Sequence, residues 1–265
     1  MNKKTIQSAF LGMVLLLMYL PILILAVYSF MDSAIIGKSG SFTVKNYVYL
    51  FHSEDLRSMI FGTLILALVV AVISTILGTL GAIGAFYSSK KFKRPIHLMN
   101  QIPVVNADVV TGFSICVLLI VFFKMDKASY VPLVIGLVSL CSPFVYLSVI
   151  PRLKQMDPQL YEAALDLGCS PFGALRKVVL PQLTSGIVSG FMMSITLTLD
   201  DYFITTYTKP SMFDTISTYV VNATKGAQTD VKTALWALST IIFLIVIFVV
   251  IGMNHTGRKE NDHEI

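Results

Sequence analysis

Six apolar stretches, running from about Ala9 to Phe30, Ile60 to Phe86, Gln101 to Phe123, Tyr130 to Ile150, Thr184 to Tyr207 and Thr233 to Met253, limit this chain more than any other feature. Each has about the 20 residues that a helix needs to cross roughly 30 Å of hydrocarbon. Inside a bilayer every backbone N–H and C=O must be satisfied within the protein, so such stretches fold as helices. An all-α membrane protein with six transmembrane helices is therefore expected. With 55% of the 265 residues hydrophobic and 13% charged, no separate soluble domain is expected, and residues 1–265 form a single transmembrane domain. Lys3 and Lys4 ahead of the first stretch resemble a signal peptide, but the apolar run is too long and no clear small-x-small cleavage site follows. The first stretch is expected to be an uncleaved span in which Pro21 is placed to introduce a kink.

The formal net charge of +5 could suggest nucleic acid, but its distribution argues for membrane topology. With the N-terminus inside, Lys3 and Lys4, the run Lys90 to Arg94, four basic residues of the loop 152–183, and Arg258-Lys259 place twelve of the 20 Lys and Arg in the cytoplasm. The positive-inside rule then puts both termini and that loop on the cytoplasmic side. Cys116, Cys141 and Cys169 fall in two spans and the same loop, which gives no support to a disulfide.

The loop 152–183 is the longest hydrophilic interruption in the second half of the chain. Asp157-Pro158 is a helix start, with Asp as N-cap and Pro at the first helical position. Gly168 suits the left-handed position that closes a helix, Ser170-Pro171 repeats the start signal, and Pro181 is expected to stop the second helix. The sequence thus predicts a short helix, a glycine elbow and another short helix. Glu162-Ala163-Ala164, three residues, Gly168, nine residues, then Val-x-Leu-Pro resembles the EAA loop of binding-protein-dependent ABC importer permeases. Val178 stands where isoleucine is commoner in that family. The resemblance implies a type I importer permease (MetI-like) fold in which the loop is a coupling helix docked into a cytoplasmic ATPase. It implies a coupling role for Glu162, Ala163, Ala164, Asp166, Gly168, Leu180 and Pro181.

Other residues carry less specific signals. In the first outer loop, Thr43 is a candidate N-cap before Val44, Tyr47, Val48 and Phe51, a helical stripe expected to lie on the outer membrane surface or pack against the ends of the spans. Gly37-Lys38-Ser39 lacks the rest of a phosphate loop. Small residues at Ser74, Gly78, Ala82 and Ala85, and at Gly186, Ser189, Gly190 and Ser194, mark two close-packing faces. Trp236 suits the outer interface of the last span. Lys209-Pro210 and Asp214 mark an outer loop suited to a docking partner.

Three acids lie at or near membrane depth: Asp108, after Pro103 and Asn106, and the pair Asp200-Asp201, followed by Tyr202 and Phe203. Inserting a carboxylate there costs at least about 2.5 to 3.5 kcal/mol, so each is a functional candidate unless it caps or pairs. At 100° per residue Asp201 lies about 20° from Gly190 and Asp200 about 80° away, so one can face a path while the other caps. Asp108 before Val-Val and Leu-Asp-Asp-Tyr before Ile-Thr resemble the spermidine/putrescine permeases (PotC type), a likeness that runs through nearly the whole chain. Carboxylates and aromatic faces suit the ammonium groups of such substrates. The resemblance implies Asp108, Asp200, Asp201, Tyr202 and Phe203 as substrate path.

It also implies partners: a second, related permease subunit (PotB-like), two copies of a cytoplasmic ATPase (PotA-like) and an extracytoplasmic polyamine-binding protein (PotD-like). ATP-Mg is bound by the ATPase, so no cofactor is expected in this chain, and the membrane lies around it. The four histidines lie in loops or termini, no Gly-x-Gly-Asp accompanies the aspartates, and no cluster has metal-ligand spacing, which argues against an intramembrane protease or a metal site. Intramembrane acids could equally serve an ion-coupled secondary transporter, but that class has no ATPase for an EAA loop to meet. An importer permease for another small solute also fits the framework.

Overall fold

The computed structural model describes residues 3–33, 40–106, 108–157, 159–224, 233–244 and 247. Gly37-Lys38-Ser39, Pro158, Arg258-Lys259 and most of the end of the sixth stretch lie outside the described residues, as do the side chains of Lys3, Lys4, Pro103 and the run Lys90 to Arg94. The fold is helical, and its contacts divide it into two units, residues 1–58 with 222–265, and residues 59–221.

In the first unit, α1 (Lys3–Tyr28) contains Pro21. Its side chains from Phe10 to Val27 are largely exposed, as an apolar helix facing lipid requires. α2 (Lys45–His52) is tied to the end of α1 by buried polar contacts. Asn46 Nδ2 donates to the carbonyls of Ser29 at 2.7 Å and Met31 at 3.0 Å, and the Ser29 and Tyr47 hydroxyls lie 2.8 Å apart. Asn46 and Leu50 are therefore the buried face, while Val44, Val48 and Phe51 stay exposed. Of the expected stripe only Tyr47 turns partly inward, onto the Phe30 ring at 5.0 Å. Thr43 Oγ1 accepts from Lys45 N at 3.2 Å, although the capping position is Val44. A helix at Thr233–Leu244 meets α1 through the Tyr28–Trp236 and Tyr19–Phe243 ring pairs.

The second unit is organised around α6 (Val131–Gln155). α3 (Glu54–Tyr87) lays Ser74, Gly78, Ala82 and Ala85 against it. A Cβ on Gly78 would stand 2.6 Å from Val145 Cβ and 2.8 Å from the Ser142 carbonyl. α9 (Leu180–Asp200) comes in as closely from another side, where a Cβ on Gly190 would stand 3.0 Å from Val145 Cγ1 and one on Gly186 2.9 Å from the Ser148 carbonyl. Both small-residue faces thus meet α6, with Ser189 alone turned outward.

Two expected spans are interrupted. The third stretch is α4 (Lys90–Val105) followed by α5 (Asp108–Cys116), which widens into a π-helix at Val117–Phe122. Asn106 adopts an extended backbone between them and its amide donates to Thr111 Oγ1 at 3.0 Å, while Asp108 places an acid in the first turn of α5. The fifth stretch ends at Asp200 and restarts as α10 (Phe203–Thr208). Among the described residues, four helices are long and apolar enough to cross a membrane: Phe10–Tyr28, Glu54–Tyr87, Val131–Gln155 and Pro171–Asp200. The shorter apolar helices Asp108–Phe122 and Thr233–Leu244 fall in the remaining two stretches.

Pro181 does not stop a helix. Pro171–Asp200 is helical throughout, through a π-turn at Leu175–Val179 in which Leu180 N–H reaches back to the Leu175 carbonyl. Proline lacks an N–H and its ring crowds the carbonyl four residues earlier. The wider π-turn just before the ring relieves both problems, and the helix continues.

Candidate functional site

The hydrophilic loop is built from local signals. Asp157 Oδ1 accepts from Gln159 N at 2.9 Å and opens α7 (Gln159–Asp166). Gly168 closes it at φ +85°, with Gly168 N donating to Leu165 O at 2.9 Å and Cys169 N to Ala164 O at 3.0 Å. This pair of bonds is a Schellman motif, which needs a left-handed residue at Gly168. Ser170 Oγ then accepts from Gly173 N at 3.2 Å and starts α8 (Pro171–Ala174). The inner side of the loop is pinned to the end of α6: Met156, Val179 and Leu183 are buried with Val149 and Leu153, and Tyr161 and Leu175 pack on them.

Ala164 is buried, while Glu162, Ala163, Asp166 and Gly168 are exposed. Leu180 is half-buried and Pro181 exposed where α9 begins. Beside the elbow, Leu167 and Phe172 are 86% and 74% exposed, two apolar side chains in a polar loop with no cover. Sequence reasoning missed them; the available signal was that neither belongs to the inward face of its helix.

The acids gather at the two helix breaks. Asp201 is buried, and its Oδ2 accepts from both Thr205 N and Thr205 Oγ1 at 2.8 Å. It is the cap that turns the chain from α9 into α10. Asp200 points the other way and is exposed, while its backbone carbonyl accepts from Ser217 Oγ at 3.1 Å. α10 is wedged between neighbours. Ile204 is fully buried among Leu133, Leu137, Val138 and Cys141, and a Cβ on Gly112 of α5 would stand 3.1 Å from Ile204 Cα. Asp108 lies one turn before Gly112 on the same side of α5 and is exposed, within electrostatic reach of Asp201. Tyr202 and Phe203 meet edge-on at 5.3 Å, with Phe203 exposed. The five expected path residues therefore sit at these two breaks in different surroundings: Asp201 holds the bend, while Asp108, Asp200 and Phe203 are exposed.

Below Asp201 a polar seam continues between α6 and α9, where Cys141 Sγ lies 3.6 Å from Thr198 Oγ1. Among the described residues no group of His, Cys, Asp and Glu is placed to hold a metal ion.

Comparison with known proteins agrees with this geometry. The chain is 27% identical over 97% of its length, and 96% of the relative's, to the spermidine/putrescine transport system permease protein PotC of Escherichia coli (strain K12). It is 28% identical to the putrescine transport system permease protein PotI of the same strain, over 91% of this chain and 88% of the relative. Among solved structures, a bacterial ABC transporter involved in the import of the acidic polysaccharide alginate superposes with a TM-score of 0.72 over 96% of both chains at 17% identity, a likeness of fold. The family model for the binding-protein-dependent transport system inner membrane component matches residues 77–256, which include the loop and both helix breaks, and the chain belongs to that family.

Proposed function

We propose that this chain forms half of the path by which an ATP-driven importer carries polyamines across the inner membrane. As a family member the chain is a membrane component and not an enzyme; ATP is hydrolysed by a partner ATPase, and a binding protein delivers the solute. The observation that carries the polyamine reading is that two helix breaks, held together by the close approach of Gly112 to the Phe203–Ile204 backbone, present exposed Asp108, Asp200 and Phe203, the carboxylates and aromatic face that suit an ammonium group. The names of the relatives support it.

In this reading the chain spans the membrane six times with both termini in the cytoplasm, and pairs with a second permease of PotB type about a pseudo-twofold axis. Of two ATPases of PotA type, one docks on Glu162, Ala163, Asp166 and the elbow at Gly168 of this chain, with Leu167 and Phe172 as apolar anchors, and the other on the second permease. ATP binding draws the ATPases together, the loops follow, and the path opens outward to receive polyamine from a PotD-type protein. Hydrolysis resets it. This chain needs no cofactor of its own.

The test is uptake of labelled spermidine and putrescine by cells lacking this chain and other polyamine routes, with and without its restoration. Loss and rescue of uptake, competed by polyamines and not by excess sugars or amino acids, is the expected result. Unchanged uptake without the chain, or competition by a solute without amines, overturns the polyamine reading.

A further inference from the structure

The segment between α10 and α11 (Ile216–Thr224) already holds a primary ammonium. Lys209 Nζ donates to Asp214 Oδ1 at 2.9 Å and to the Phe213 carbonyl at 2.7 Å. The lysine side chain is 14% exposed and the aspartate 40%. Thr218 Oγ1 lies 3.2 Å from the same Asp214 Oδ1, so the carboxylate has a partner besides the lysine. The next hydroxyl along, Ser217 Oγ, holds the backbone carbonyl of Asp200. Adjacent residues of α11 therefore tie this ammonium cage to the end of α9, where the exposed path acid is.

We propose that Asp214 and the Phe213 carbonyl form an outer station for a primary ammonium of the transported solute, and that Lys209 is a tethered occupant which the solute displaces. The proposal rests on the polyamine reading for the identity of the solute. A lysine side chain ends in the same CH2–NH3+ group as a polyamine, so a cage that satisfies one satisfies the other. The tether gives lysine a high local concentration, but a partly exposed ion pair holds weakly. A molecule with two or more ammonium groups gains what lysine cannot, because its second charge is free to reach Asp200. Between turnovers Lys209 keeps the Asp214 charge paired.

The experiment uses the complete transporter in nanodiscs of phosphatidylglycerol and phosphatidylcholine, so that no lipid supplies a primary ammonium. Butylammonium is expected to raise the unfolding temperature of Lys209→Gly by a few degrees, but not that of Lys209→Gly combined with Asp214→Asn. Tetramethylammonium, which has no N–H to donate, is expected to raise neither. Asp214→Asn alone is expected to lower spermidine uptake about fivefold at unchanged membrane amount, a larger loss than that from Lys209→Met. No butylammonium effect on Lys209→Gly, an equal effect on the double variant, or equal uptake losses from Asp214→Asn and Lys209→Met would make this a loop-closing pair and overturn the proposal. Should Lys209→Gly fold poorly, Lys209→Met serves for the same stability comparison. If butylammonium binds as expected but the wild type carries no polyamine, the ammonium station stands and the polyamine reading falls; polyamine uptake without ammonium binding gives the reverse.

Discussion

Val145 meets two glycines, Gly78 of α3 and Gly190 of α9, and at each the space for a Cβ is already taken. An added methyl at Gly78 would press on the Ser142 backbone carbonyl, which cannot rotate away as a side chain can. Gly78→Ala is expected to cost about 1 to 3 kcal/mol, seen as a lower unfolding temperature and less protein in the membrane. Gly84, with nothing within 4 Å of the same methyl, is the control: Gly84→Ala is expected to be neutral or to stabilise by about 0.5 to 1 kcal/mol. The two aspartates separate in the same way. Asp201→Asn weakens a buried acceptor of two hydrogen bonds and is expected to lower the unfolding temperature, as is Thr205→Val, which removes one of those bonds for about 1 to 3 kcal/mol. Asp200→Asn is expected to leave thermal unfolding unchanged and to reduce polyamine uptake. A stability loss at Asp200 comparable to that at Asp201 would count against the division of roles.

Between residues and the whole chain, the signals that stayed local were legible. Asp157, Ser170 and Gly168 announce helix ends by chemistry that acts within a few residues, and each is found in that role. The small-residue faces were equally visible, because close approach needs small side chains whichever helix lies opposite. What escaped the sequence depended on non-local packing or on backbone geometry that side chains do not encode. The stripe Val44, Val48 and Phe51 has helical spacing and is open to a membrane surface, but that Asn46 anchors the opposite face of α2 to two carbonyls at the end of α1 was not legible. Pro181 carries a stop signal that the π-turn cancels. At the candidate site, the division of the acids into a buried cap and an exposed carboxylate appeared only once the chain was seen to bend after Asp200. In the coupling segment, Gly168→Asp is expected to abolish uptake while leaving the chain in the membrane, because a Cβ strains the left-handed elbow that presents Leu167 and Phe172. Normal uptake by that variant would remove the coupling role.

For the molecule as a whole, the balance of basic residues predicts a cytoplasmic coupling loop and an outer α10–α11 segment. Cys169, a half-exposed free thiol, lies in the former, and the fully exposed Met212 lies in the latter. A membrane-impermeant maleimide is expected to label Cys169 only in inverted vesicles, and Met212→Cys, in a chain freed of Cys169, only in intact cells. Labelling of both from one side would refute the topology. The continuity of Pro171–Asp200 then has a mechanical meaning. Its 30 residues make a rod about 45 Å long, with the coupling elbow at one end and the bend that carries the acids at the other. Such a rod acts as a lever: a tilt of about 10° at the end where force is applied sweeps the other end through about 8 Å, close to the bulk of an ammonium with its first shell of water. In the proposed mechanism a small rotation at the ATPase end thereby becomes travel at the acids.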